Sequence, residues 1–211
     1  PLTELRQRLN SEPEWLTRAR ESFRTAEPND CKPLEQTPAD GQLFGFLYAV
    51  KPLMKEATAK LRQGIQQLTE NHENVPFDPE TVDDLLWNYL PNHLITMLLR
   101  SFILELNARR MQGELTGETP QDRFHLFVQK LRDPAFAERL LADYPVLLRQ
   151  VVEYLERAVV TGLEFLEHLC TDYLALIESF SPEENPGLLL ELSDDVGDSH
   201  QGGRFVRIAQ F

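Results

Sequence analysis

A glycine-bearing segment near the end of the sequence holds the residues whose types and spacing best suit chemistry. Gly197, Ser199 and Gly202 occupy the first, third and sixth places of a G-x-G-x-x-G frame, with serine in the place of the middle glycine. Glycine allows positive φ and a close approach of the backbone to a phosphate group. Asp198 and His200 lie in the same segment, and side chains two residues apart on an extended chain point the same way. A carboxylate beside an imidazole favours and orients the imidazolium, which suits proton transfer near neutral pH.

The sequence on both sides of this segment predicts β-strands. Residues 188–193 are rich in leucine, and residues 204–211 alternate between apolar side chains and Arg204, Arg207 or Gln210. A dinucleotide-binding fold has a helix after its glycine-rich turn, whereas a kinase-type loop joins two strands above the ATP phosphates. The strand that follows therefore favours a kinase-type loop. The sequence contains no G-K-[ST], which excludes a P-loop NTPase on motif grounds.

Two other features of the sequence have competing interpretations. Asp, Ser and Gly commonly form turns, so spacing alone leaves open that the segment is only a hairpin turn. Glu164, His168 and Asp172 share one helix face at i, i+4 and i+8. A solvated polar face explains this stripe as well as a metal site does, and no second cluster has ligand spacing, so we predict no metal ligands.

The glycine segment belongs to a longer motif. Residues 197–204 are Gly-Asp-Ser-His-Gln-Gly-Gly-Arg, and an alternating strand follows. This motif resembles that of the class II (LanM-type) lanthipeptide synthetases. Segments upstream agree with the same family: Leu-Glu-Leu-Asn-Ala-Arg at 104–109, Gly-Glu-Leu-Thr-Gly-Glu-Thr at 113–119, Arg-Phe at 123–124 and Tyr-Pro-Val-Leu at 144–147. The resemblance covers about residues 80–211 and is weaker before them.

The resemblance implies a dehydratase with a lipid-kinase-like fold. Such an enzyme phosphorylates Ser and Thr of a precursor peptide with ATP and Mg²⁺, then eliminates the phosphate to leave dehydro-amino acids. A separate cyclase domain, which carries the family's zinc, adds Cys thiols to these products. The resemblance assigns Asp198 and His200 to phosphate elimination. It assigns the nucleotide loop to Gly197, Ser199, Gly202 and Gly203. The implied partners are the leader and core of the precursor peptide and the rest of the synthetase chain.

The sequence before the predicted hairpin is helical in pattern. Helices are predicted from Pro13 to about residue 25, over 43–70 with a kink or restart at Pro52, over 81–110 as two helices or one helix kinked at Pro91, from a Thr119 cap, after Pro134, and over 145–180. The predicted fold is mainly α: a helical region at 1–180, then residues 181–211 as the start of a kinase-like N-lobe that is α+β in the intact domain. Glu105 and Arg109 are spaced as an i, i+4 pair, and because the resemblance includes both residues, it implies a buried structural pair in preference to a catalytic one. Cys170 is expected in the core.

Composition excludes several classes of function. The chain has 34 acidic and 21 basic side chains, and a net charge of −13 disfavours binding to nucleic acid or to anionic membranes. Two cysteines are too few for a disulfide scaffold, and no signal peptide is visible, which fits a cytoplasmic protein. The longest apolar run, 94–106, is interrupted by Arg100 and Glu105, so no membrane span is predicted.

A kinase-type site needs more than a phosphate loop. It requires a lysine on the third strand, a catalytic base and Mg²⁺ ligands, all located after that loop. Because the sequence reaches Phe211 on the second predicted strand, we expect an N-terminal fragment that alone binds no cofactor and is inactive. Its helices would serve as a scaffold with exposed apolar faces. Two alternatives stay open: a helical interaction module without chemistry, and a complete small enzyme that uses Asp198 and His200 as an acid–base pair.

Overall fold

The computed structural model describes residues 12–26, 39–180, 187–193, 204 and 206–211. The elements in chain order are α1 (Glu14–Thr25), a 3₁₀ helix (Ala39–Val50), α2 (Lys51–Asn71), α3 (Val82–Trp87), α4 (Leu90–Met111), α5 (Pro120–Leu131), α6 (Pro134–Ala142), α7 (Pro145–Phe180), β1 (Glu191–Ser193) and β2 (Ile208–Gln210). The predicted fold class, mainly α with two antiparallel strands near the C-terminus, is confirmed.

Prolines determine where several helices begin, because proline lacks an amide hydrogen and fits only the first turn of a helix. Pro52 and Pro91 each stand second in their helices, α2 and α4. Of the alternatives left open by the sequence, the structure has a restart at Pro52 and two separate helices over 82–111. The segment before Pro52 is a 3₁₀ helix where an α-helix was predicted. A proline at position 52 has no amide to bond to the carbonyl of residue 48, which disfavours α geometry there.

The start of α5 is capped as the sequence predicts. The Thr119 hydroxyl accepts a hydrogen bond from the Asp122 amide at 3.1 Å, and the Asp122 carboxylate accepts one from the Thr119 amide at 3.0 Å. These two bonds satisfy amides that have no partner within the helix. The start of α1 differs by one residue from the prediction, because Pro13 is the N-cap, with extended backbone, and Glu14 is the first helical residue.

The chain divides into two compact units, each discontinuous in sequence. The first unit contains Pro1–Met54 and Asn92–Glu153, and the second contains Lys55–Pro91 and Tyr154–Phe211. In the first unit, α5 and α6 pack on the 3₁₀ helix and α1 packs on α6. Its core holds a phenylalanine cluster, with ring centroids 5.4 Å apart for Phe46 and Phe102 and 6.1 Å apart for Phe46 and Phe127.

The second unit is built around the later part of α7. A Cβ placed on Gly64 of α2 would clash with Cδ1 of Leu163 of α7, so the glycine allows these two helices to pack closely without displacement of that side chain. Asp83 of α3 is buried and forms an ion pair with Arg62 of α2, with Nε and Oδ2 2.6 Å apart. A buried carboxylate requires such a partner.

The strands are shorter than predicted. Pairing is antiparallel and joins Glu191 with Gln210 and Ser193 with Ile208. At the N-terminal end of β1, the Leu189 amide donates 2.8 Å to the carbonyl of Pro76, outside the sheet. The predicted domain boundary between residues 180 and 181 stays a prediction. None of the helices in the described part of the chain is both long and apolar enough to cross a bilayer.

Candidate functional site

The predicted phosphate loop lies outside the described residues. The candidate catalytic residues Asp198 and His200 fall in this undescribed part of the chain. So do the candidate nucleotide-binding residues Gly197, Ser199, Gly202 and Gly203. The roles assigned to these six residues therefore stay predictions. The structure does describe the two residues that flank the segment, Ser193 at the end of β1 and Arg204.

Arg204 is attached to α7 by a two-point ion pair. Its Nε lies 3.0 Å from Oε2 of Glu164, and its Nη2 lies 2.8 Å from Oε1. The two parallel hydrogen bonds match the planar guanidinium to the planar carboxylate, which is the most directional form of this interaction. Arg204 directly follows Gly203, so this pair holds the chain where the predicted loop ends.

Arg207 forms a second attachment to the same helix. Its guanidinium carbon lies 5.2 Å from the ring centroid of Phe165, and its Nη2 donates 3.3 Å to the Tyr89 hydroxyl. The half-buried position strengthens a cation–π contact because less water competes for the charge. Glu164 and Phe165 are consecutive on α7, so the two arginines bind neighbouring positions of one helix.

The far end of β2 and the start of β1 also contact α7. The rings of Tyr173 and Phe211 have centroids 5.6 Å apart, and the Tyr173 hydroxyl donates to the carbonyl of Gly187. Leu189 and Leu192 are buried, and β1 packs on α3. The segments that contain the two strands are therefore attached to α7 through Tyr173, and β1 also packs on α3.

Glu164, one of the three residues of the polar stripe on α7, takes part in an ion pair. Glu164 binds Arg204, and the neighbouring Glu167 lies 3.6 Å from Nε2 of His72. Within the ranges that the structure describes, no group of three or more His, Cys, Asp or Glu side chains could hold a metal ion. Cys170 was expected in the core and is only half-buried. Burial, together with the nearby Glu167 charge, raises the pKa of the Cys170 thiol, which lowers its reactivity.

A second polar cluster, in the first unit, involves residues from the segments that resemble the synthetases. The expected pair of Glu105 and Arg109 is confirmed, with Oε1 and Nε 2.6 Å apart and side chains 16% and 18% exposed. Arg109 also binds Glu114 at 2.6 Å, and its guanidinium carbon lies 4.8 Å from the Phe136 ring centroid. The Tyr144 hydroxyl donates 3.1 Å to the other Glu105 oxygen.

The contacts of this cluster have a structural role. Burial raises the pKa of the Tyr144 phenol, and its hydrogen bond to Glu105 raises it further, so the phenol remains a hydrogen-bond donor at neutral pH. Glu105 is hydrogen-bonded through both oxygens, to Arg109 and to Tyr144. The cluster links α4 to the turn between α6 and α7.

Sequence reasoning did not foresee the attachments of the strands to α7. Glu164 and Arg204 are 40 residues apart, and no local spacing rule joins them. The signal that could have singled them out is the pair of arginines on a strand next to a glycine-rich turn, since each arginine needs a partner where the strand packs on a helix. In the sequence alone, Glu164 is recognisable only as part of a polar stripe on one helix face.

Comparison with models of protein families gives a match to the C-terminal part of the chain. Residues 144–211 match a family model described as "Domain of unknown function (DUF4135)". No curated protein matches the chain. The matched region begins at Tyr144 and contains α7, β1, β2 and the predicted loop between the strands. This domain is associated with lanthipeptide synthetases of the LanM type.

Proposed function

We propose that this chain is part of the dehydratase of a LanM-type lanthipeptide synthetase. The observation that carries the proposal is the match of residues 144–211 to a domain associated with these enzymes. The matched region contains the Gly-Asp-Ser-His motif at 197–200. The resemblance to the synthetases rests on that motif and does not depend on the family model. The paired strands on either side of that motif fit a loop that joins two strands, as in kinase-type sites.

In the proposed reaction, the backbone of the loop at 197–203 holds the phosphates of ATP, and the γ-phosphoryl group passes to a Ser or Thr hydroxyl of the precursor peptide. Removal of the Cα proton then forms a Cα–Cβ double bond as the Cβ–O bond breaks and phosphate leaves. His200 donates a proton to the leaving phosphate or relays one, and Asp198 orients the imidazole. Mg²⁺ would neutralise charge at the phosphates.

The helices have a supporting role in this proposal. The contacts of Arg204, Arg207 and Phe211 with α7 attach the strand that follows the loop to a long helix. Sites carried by regular elements are held more accurately than sites on loops. The proposal places the protein in the cytoplasm and includes neither nucleic acid nor a membrane among its partners.

The proposed function is tested with the synthetase that contains this chain, a precursor peptide, ATP and Mg²⁺. We expect the peptide to lose water in an ATP-dependent manner, as measured by mass spectrometry. His200→Ala should leave phosphorylated peptide in place of dehydrated peptide. His125→Ala, at an exposed histidine of α5, is the matched control and should dehydrate the peptide normally. Unchanged dehydration of the peptide by His200→Ala would show that His200 takes no part in the reaction.

A helical interaction module without chemistry is the second candidate. The exposed apolar side chains of the second unit favour it, with Leu174 74% exposed, Leu190 69% and Ile208 48%. Such a module would bind a partner through exposed apolar side chains. Binding of the precursor peptide without any ATP-dependent change in its mass would support this candidate over the dehydratase.

A further inference from the structure

We propose that one exposed face of α4 is a docking surface for an acidic, amphipathic helical peptide. This face, called the α4 stripe below, is defined by Met97, Leu104 and Met111 at intervals of seven residues, with Arg100 and Arg110 beside them. The inference goes beyond the proposed function, because it assigns a binding surface outside the matched region at 144–211 and does not depend on peptide dehydration.

The spacing places these side chains on one side of the helix. An α-helix has 3.6 residues per turn, so residues seven apart lie almost above one another, two turns apart. Arg100 follows Met97 by three residues and precedes Leu104 by four, which is the spacing of residues that face a partner in a coiled coil. At about 1.5 Å per residue, the stripe extends roughly 21 Å along the helix axis from Met97 to Met111. A partner helix could contact it over about four turns.

Apolar side chains occupy both the buried and the exposed side of α4. Leu94, Leu98 and Phe102 are completely buried. On the other side, the side chains of Leu104 and Met111 are 63% and 83% exposed. A surface helix ordinarily has polar and charged residues opposite its buried face, and a helix that is apolar on both sides is ordinarily covered on both. The α4 stripe therefore has the composition of a surface that a partner covers.

The charges beside the stripe are positive. Arg100 and Arg110 are exposed, and within the described part of the chain neither forms an ion pair with a carboxylate. The acidic residue of α4, Glu105, is already bonded through both oxygens, to Arg109 and to Tyr144. This local positive charge contrasts with the net charge of −13 of the whole chain. A partner that brings carboxylates to the edge of an apolar contact complements this surface.

A helical peptide matches the stripe in shape as well as in charge. Amphipathic helices are recognised through side chains at i, i+3, i+4 and i+7, which is the spacing found here. Methionine adapts its shape to different partners, so Met97 and Met111 suit such a contact. A second copy of α4 is a poorer match, because its own stripe contains no carboxylate that could bind Arg100 or Arg110.

The test compares two synthetic peptides, each about three heptads long. Both have leucine at the a and d positions, and they differ only at e and g, where one has glutamate and the other lysine. Each carries a fluorescein label, and its binding to the full-length protein that contains this chain is measured by fluorescence anisotropy. We expect the acidic peptide to bind about tenfold more tightly than the basic one at low salt, and added salt to reduce that difference.

This comparison uses the wild type alone, so it does not depend on the folding of any variant. Equal binding of the two peptides, tighter binding of the basic peptide, or binding of neither would overturn the inference.

The double variant Leu104→Gln/Met111→Gln removes the apolar part of the stripe while keeping good helix formers in α4. It should weaken binding of the acidic peptide about tenfold. Val160→Gln is the matched control, because Val160 is 55% exposed on α7, and it should leave binding unchanged. Unchanged binding in the double variant, or an equal loss in the control, would place the peptide elsewhere and contradict the assignment.

The double variant Arg100→Glu/Arg110→Glu tests the charges. It should reverse the preference, so that the basic peptide binds about tenfold more tightly than the acidic one. If the variant still prefers the acidic peptide, the two arginines do not select the partner and the proposal fails.

Two other occupants are decided by the same variants. We expect the wild type and Leu104→Gln/Met111→Gln to have the same oligomeric state in sedimentation, and the same binding to phosphatidylglycerol vesicles. A dimer that the double variant dissociates would assign the stripe to a second copy of the chain. Vesicle binding that the double variant loses would assign it to a membrane surface. Either result would overturn the inference.

Discussion

At the residue scale, the Glu105 cluster shows how one carboxylate is satisfied by two different partners. One oxygen accepts from Arg109 at 2.6 Å and the other from the Tyr144 hydroxyl at 3.1 Å. The sequence predicts the first contact from i, i+4 spacing, which brings two side chains to one helix face. It cannot predict the second, because Tyr144 is 39 residues away and reaches Glu105 only through tertiary packing.

Tyr144→Phe tests this cluster through its pH dependence. The pKa of Tyr144 is raised by burial above its ordinary value of 10.0, and the hydrogen bond to Glu105 raises it further. Since the folded-state pKa is the higher one, the stabilisation is fully present below the unfolded-state value and is lost as pH rises through the folded-state value. We expect the variant to be about 1 kcal/mol less stable than the wild type near neutral pH.

The measurement is urea unfolding of both proteins at neutral pH and at several pH values above that ordinary value. The difference in the free energy of unfolding should shrink as the pH rises, because the wild type loses the contribution that the variant never had. A difference that stays constant over this range would show that ionisation of Tyr144 is not linked to folding.

At the scale of single elements, local sequence predicts helix ends well and strand ends poorly. The starts of α5 and α6 follow from a capping residue and a proline, both of which act within one turn. The ends of the strands depend on distant partners. The Leu189 amide donates to the carbonyl of Pro76 and not to β2, so the start of β1 depends on a residue far away in sequence.

Thr119→Ala tests the cap of α5. Its hydroxyl satisfies the Asp122 amide, and losing it should lower the free energy of unfolding by about 1 kcal/mol. The matched control is Thr96→Ala in α4, where the hydroxyl bonds only to the Asn92 carbonyl of its own helix. That change should be close to neutral or slightly stabilising, because alanine favours helix. Equal losses in the two variants, measured by urea unfolding, would contradict a specific contribution from the cap.

Gly113→Ala tests the end of α4. Gly113 has a φ of +76°, in the left-handed region that side chains with a Cβ disfavour, and an added Cβ would meet no atom within 4 Å. The change therefore isolates the conformational cost, and we expect a loss of about 1 kcal/mol. Gly113→Asn should cost less, because asparagine tolerates this conformation better. Thermal unfolding of both variants measures the difference, and an alanine variant as stable as the wild type would contradict the assignment.

At the scale of the whole molecule, a sequence motif predicts which residues form the candidate site, but it does not predict how the flanking strands are held in space. The Gly-Asp-Ser-His motif and its flanking strands are local features, and pairing of β1 with β2 is confirmed. These strands are held by side chains of α7, among them Glu164 and Tyr173. No sequence motif connects those residues to the loop. The supporting frame therefore becomes visible only in three dimensions, while the chemistry assigned to Asp198 and His200 comes from the resemblance.

The packing of the whole molecule also decides which apolar side chains of the second unit stay exposed. Leu174 and Leu190 are largely exposed although each belongs to an apolar stretch of sequence. The sequence predicts that such faces exist but cannot predict which of their members are left exposed.

The most direct test of the central claim follows the γ-phosphate of ATP during peptide modification by the synthetase that contains this chain. With ATP labelled at that position, the wild type should release one labelled inorganic phosphate for each residue dehydrated, while His200→Ala should leave the label on the peptide. Dehydration by the wild type without matching release of label, or a His200→Ala peptide that carries no label while its dehydration is blocked, would contradict phosphorylation followed by elimination.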